Sequence, residues 1–187
     1  MSMSCFPTSP RPWLAAVLAI AGVSDLAPAH AHQVWLENAG GQARLHFGEF
    51  NDNLRETSPG RLDQFKGVPV LEQQRTGAPA QRGDGQLGKD AFVYATTGSP
   101  DTLFATPIYP VIDRSKRNLP AMVWQPSARW VASLAKPVAP TAPLDLVPTG
   151  KPGELKVVYQ GAPLPKGKVQ LAAPSGWTRE AEAGEDG

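Results

Sequence analysis

Twenty prolines and eighteen glycines are spread along 187 residues, and no other feature limits the fold as strongly. Proline fixes φ and removes an N–H donor, so long helices are interrupted wherever it falls. The two residue types are too dispersed to make a disordered tract. The spacing therefore predicts short strands between turns. Gln33–Glu37 alternates and carries Val34 and Trp35, both good strand residues. Gln42–Phe47 alternates again, with Leu45 and Phe47 on one face and Arg44 and His46 on the other. The turn cluster Asn38-Ala39-Gly40-Gly41 joins them, which predicts a hairpin. A turn centred on Ala39-Gly40 sets Gln33 opposite His46 and His32 opposite Phe47. The two-residue pleat then puts His32 and His46 on opposite faces.

Downstream, Ser58–Phe65 is a candidate helix, with Ser58 as N-cap and Pro59 in the first turn. Val68–Gln73, Asp90–Thr97 and Thr102–Ile112 are expected strands, the last pushed toward a sheet edge by its prolines. Gly77–Lys89 reads as a loop, with a tight-turn signal at Asp84-Gly85. Trp124 and Trp130 flank a proline-led turn over residues 126–129.

Residues 136–143 (KPVAPTAP) hold three prolines in eight residues and form the clearest boundary, an extended linker. The fold class expected is all-β, with two small immunoglobulin-like sandwich halves over residues 32–135 and 144–187. About three strands are expected after the linker, in Leu144–Val147, Glu154–Tyr159 and Lys168–Ala172. Three strands bury too little surface to complete a sandwich. The second half is therefore expected to be incomplete at the C-terminus. The acidic run from Glu180 to Asp186 is expected to be a solvated turn.

The N-terminus reads as a cleavable secretory signal over residues 1–31. Arg11 precedes the apolar run Trp13–Val23, and Ala29-His30-Ala31 supplies an A-x-A cleavage site. The apolar run is shorter than the ~20 residues of a membrane helix. A periplasmic location without stable membrane insertion is expected. Cys5 leaves with the signal, which removes disulfides, thiolate metal sites and a cysteine nucleophile from the mature chain. The formal charge is +1 and no Lys/Arg block dominates, so nucleic acid is not an expected partner.

Three histidines are present, His30, His32 and His46. There is no G-x-S-x-G, no H-E-x-x-H and no phosphate loop. With His46 as the only internal base, hydrolase chemistry has little support, and no enzymatic activity is expected. Imidazole suits nickel, cobalt, copper and zinc. Cleavage after Ala31 would leave His32 first, with its amine and imidazole free to chelate together. Cleavage after Ala29 would do the same for His30. His32 with His46 would complete a three-nitrogen copper brace only if the terminal residue peeled away from the sheet. The stretch Gly48–Glu56 gathers Glu49, Asn51, Asp52, Asn53 and Glu56 and can add an oxygen ligand beside His46, or serve as an Asx-capped turn. The candidate metal residues are His32, His46 and Glu49.

The AHAHQVWLE start, the stretch GEFNDNLRE and the segment LDLVPTGKPGELKVVYQGAPLP resemble a family of periplasmic proteins named as nickel- or cobalt-uptake (NikM-like) transporter components. The resemblance covers essentially the whole mature chain. It implies an exported, mostly β protein with two sandwich-like halves. It also implies handling of Ni2+ or Co2+, with Cu2+ as a further candidate, beside a membrane metal-uptake transporter. Similar proteins continue past the position of Gly187 with a histidine-bearing stretch. The alternative expectation is a non-catalytic β-sandwich interaction or carbohydrate-binding module, with Trp124 and Trp130 as its stacking surface.

Overall fold

The structure, a computed structural model, describes residues 32–187, so the leader expected over residues 1–31 lies outside the described residues. The chain is all-β, and its helical content among the described residues is two 3₁₀ turns, Arg61–Gln64 and Ser115–Arg117. None of the described helices is long and apolar enough to cross a membrane.

The first half is a sandwich of two antiparallel sheets. One sheet orders β1 (Gln33–Ala39), β2 (Gln42–Glu49), β7 (Phe92–Ala95) and β6 (Gln86–Leu87), with β3 (Leu54–Arg55) continuing beyond β7 along β2. The other orders β5 (Gln81–Gly83), β4 (Leu71–Gln74), β8 (Thr102–Ala105) and β9 (Ala128–Val131). Alternation decides what lies between them. Leu36, Ala43, Leu45, Phe47, Phe92 and Tyr94 of the first sheet meet Leu71, Leu103, Ala105 and Ala128 of the second. Leu62 and Phe65 are buried in the same core, carried there by the 3₁₀ segment. Two polar ties fix the sheets to each other. Gln73 donates to the Ala95 carbonyl at 3.0 Å and accepts from the Thr97 N–H at 3.2 Å, while the buried Tyr94 hydroxyl donates to the Pro69 carbonyl at 2.7 Å.

Several expectations are corrected here. The β1–β2 turn is Gly40-Gly41, with Ala39 paired to Gln42, two residues beyond the register read from the sequence. Both glycines have positive φ, 60° and 77°, which a tight two-residue turn requires and Ala39 would resist. The helix expected over 58–65 shrinks to one 3₁₀ turn. Gly60 sits at φ 155°, outside helical geometry, and the Ser58 hydroxyl donates to Asp63 instead of capping a helix. β8 lies inside its sheet, between β4 and β9, because it ends at Ala105 before the first proline. The 77–89 loop contains β5 and β6, which belong to different sheets, so Asp84-Gly85 is a crossing between layers and not a hairpin turn.

Beyond residue 143 come β10 (Leu144–Pro148), β11 (Leu155–Tyr159) and β12 (Ala162–Pro163) in one sheet, and the hairpin β13 (Lys168–Ala172) with β14 (Thr178–Glu182). The acidic run is thus partly strand, with Glu182 opposite Lys168 and Glu180 opposite Gln170. Its buried apolar side chains are few, chiefly Val147, Val157 and Val158.

The halves are pinned by one buried ion pair. Arg129 on β9 donates to both oxygens of Asp145 on β10, at 3.0 and 2.5 Å, and the two side chains are 7% and 4% exposed. Asp145 also accepts from the Thr141 and Ala142 N–H groups, so the proline-rich segment is tied down at its end. Burial pushes the Asp145 carboxyl up, but the bonds from Arg129, Thr141 and Ala142 prevail and hold it below the usual carboxylate value. Asp145→Ala would leave a buried guanidinium unpaired, an expected loss of about 3–5 kcal/mol in urea denaturation. The sign with pH follows from the depressed carboxyl. The stabilisation is present above the unfolded value near pH 4 and is lost as pH falls through the folded one, so the variant's deficit should shrink in acid.

Candidate metal centre at the β1–β2 edge

Even-numbered residues of β1 face the core and odd-numbered ones face outward, and β2 does the reverse. Extending the Gln33–Gly48 pair by one step sets His32 directly across from Glu49. The register shift of two leaves parity untouched, so His32 and His46 do lie on opposite faces, as the sequence predicted. They share no site. His32 and Glu49 come together, while His46 does not join them.

His32 rests against Phe47, ring centroids 4.9 Å apart, at the margin of an aromatic group of Phe47, Phe65, Tyr109 and Trp124. Its Nε2 is 2.6 Å from Glu56 Oε1, and its Nδ1 is 3.8 Å from Glu49 Oε1. Arg61 Nη1 lies 3.1 Å from the same Nε2. Nε2 thus lies between the Glu56 carboxylate and the Arg61 guanidinium, and Nδ1 is the ring nitrogen on the Glu49 side. Glu56 is placed by the return of β3. The Glu56 N–H bonds the Phe47 carbonyl at 2.8 Å, and Arg55 pairs with Gly48. Nothing in the sequence marked Glu56 above its acidic neighbours. The signal lay in Gly48, at φ 151°, where an added Cβ would sit 2.1 Å from the Leu54 carbonyl oxygen.

His46 is 1% exposed, not a solvent-face residue. Trp35, its partner across the strands, stacks on it at 5.3 Å and 23°. Its Nδ1 donates to the Asp90 carbonyl at 3.0 Å, and Glu37 Oε2 stands 3.5 Å from its Nε2. Burial lowers the His46 pKa, outweighing the bond to Asp90 and the charge of Glu37, which act the other way. Glu37 is lowered in turn. Burial raises it, but hydrogen bonds from Trp35 and Arg55 outweigh that.

Among the described residues no three His, Cys, Asp or Glu side chains converge as a ready metal cage. Among the described residues, the facing pair His32 Nδ1 and Glu49 Oε1 supplies one nitrogen and one oxygen. Trp124 and Trp130, expected as a stacking surface in the module reading, are half-buried and pack against the core. The chain matches no protein-family model, no curated protein and no solved structure.

Two outcomes follow. Gly48→Ala should lower stability by about 1–3 kcal/mol, read by thermal denaturation, because the strained backbone and the Leu54 contact both resist a side chain. Folded His46 binds fewer protons than unfolded histidine below about pH 6.5, so stability falls as pH drops from there toward its folded pKa. Urea midpoints measured at about pH 7.5 and about pH 5.5 should differ less in His46→Asn than in the parent.

Proposed function

We propose that this chain is an exported, non-catalytic binding or delivery protein for a divalent transition metal of the nickel, cobalt or copper class, serving uptake at a membrane transporter. One observation carries the reading. The His32 ring is held from behind by Glu56 at Nε2, with Nδ1 on the side of the Glu49 carboxylate. A carboxylate behind one imidazole nitrogen, orienting the other toward a ligand, is the usual second support of metal-bound histidine. Glu56 is thus an orienting residue, and Glu49 the oxygen donor. Cleavage after Ala31 would add the His32 amine, whose six-membered chelate with Nδ1 supplies the donor the side chains lack. Nitrogen-rich donor sets suit copper and nickel more than magnesium or calcium. His32 and Glu49 are both partly exposed, which leaves a path for a partner to take the ion.

The test is calorimetric titration of nickel, cobalt and copper into protein that begins at His32. Binding at micromolar Kd or tighter is expected, and a single extra residue ahead of His32, or His32→Ala, should weaken it at least about a hundredfold, as loss of a chelate ring does. Glu56→Gln should weaken it about tenfold to a hundredfold, the size of effect orienting groups have. Affinity indifferent to the His32 amine and ring would end the proposal.

A further inference from the structure

On the outer face of the first sheet, two electron-rich atoms confront each other without a hydrogen bond. His46 Nδ1 is 3.0 Å from the Asp90 carbonyl oxygen. A carbonyl only accepts, so Nδ1 carries the proton and Nε2 presents its lone pair. That Nε2 is buried and has no hydrogen-bond partner among the described residues. The polar atom facing it is Glu37 Oε2, at 3.5 Å. Glu37 is fixed from its other oxygen, where Trp35 Nε1 donates at 3.1 Å and Arg55 Nη2 at 2.8 Å. Each of the two atoms is therefore aimed by a support on its far side.

A buried lone pair opposite a carboxylate oxygen is repulsive unless positive charge lies between them. Imidazole nitrogen with carboxylate oxygen is a donor pair for zinc and copper, and two bonds of about 2.0–2.2 Å can span a gap of up to about 4 Å. The supports are also those of metal ligands: a backbone carbonyl on the imidazole N–H, and hydrogen-bond donors on the far carboxylate oxygen. Access runs along Glu37, whose side chain is 42% exposed while His46 is enclosed. We propose that His46 Nε2 and Glu37 Oε2 form a second divalent transition-metal site, separate from the His32 site and on the opposite face of the same sheet. Solvent completes its coordination. Arg55, bonded to Glu37 and 5.8 Å from the Trp35 ring centre, adds a nearby positive charge that keeps the ion weakly held and exchangeable.

The site does not depend on His32, which makes it separable. Zinc is titrated into the full chain carrying His32→Ala and Glu49→Gln, with calorimetry and histidine-nitrogen NMR as readouts. One equivalent should still bind, and the His46 Nε2 resonance should move with zinc at constant pH and not with magnesium. His46→Asn keeps a donor for the Asp90 carbonyl while deleting Nε2, and should weaken zinc binding at least about tenfold. Glu37→Gln, on a half-exposed side chain, should do the same and gives the answer if His46→Asn fails to fold. Zinc affinity unchanged in Glu37→Gln, or an Nε2 resonance that moves with pH and never with zinc, would overturn the proposal and assign the gap to a proton.

Discussion

The pairing of β1 with β2 is closed by Gly40-Gly41, both at positive φ, and that turn fixes which residue stands beside which along the two strands. From it follow the core face of Leu36, Leu45 and Phe47, the outer pair of Trp35 and His46, and the meeting of His32 with Glu49. A shift of one residue would exchange the faces and bury Glu37 and Arg44 in place of Leu36 and Leu45. The core against the second sheet, and both candidate metal sites, rest on this register.

A second constraint comes from charge. The Arg129–Asp145 pair is nearly closed to solvent and joins the two halves through β9 and β10. Its geometry offsets desolvation because four donors, two of them backbone N–H groups, converge on one carboxylate. The second half has little apolar core of its own, and Leu144, Leu146, Tyr159, Leu171 and Trp177 stay exposed. Its attachment to the sandwich therefore leans on this buried pair and on the strapped segment before β10, more than on apolar contact.

The two described histidines illustrate how environment divides one side-chain type between two roles. His32 sits at a partly exposed strand end, with carboxylates on both ring nitrogens' sides. His46 is enclosed beneath Trp35, and burial keeps it neutral to lower pH. Neither difference follows from the residue itself. Each follows from the pleat, which sends one imidazole to the strand end beside Glu49 and Glu56 and the other under an indole.

The sequence by itself determined the all-β class, the hairpin at residues 33–47, the alternation of Leu45 and Phe47 against Arg44 and His46, and the opposite facing of the two histidines. These are local consequences of period two and of proline and glycine placement, so they need no knowledge of distant residues. The register too has a local cause, because Gly40-Gly41 takes the required φ angles without strain, although the four-residue turn cluster by itself left the centre of the turn open. Tertiary structure decided the burial of His46, because Trp35 reaches it from β1 and the Asp90 carbonyl from the bend before β7. It also decided that Glu56, returning along β3, and not His46, stands behind His32. The contacts that bring Glu56 to His32 and the Asp90 carbonyl to His46 are set by packing across tens of residues, and no local pattern in the chain encodes them.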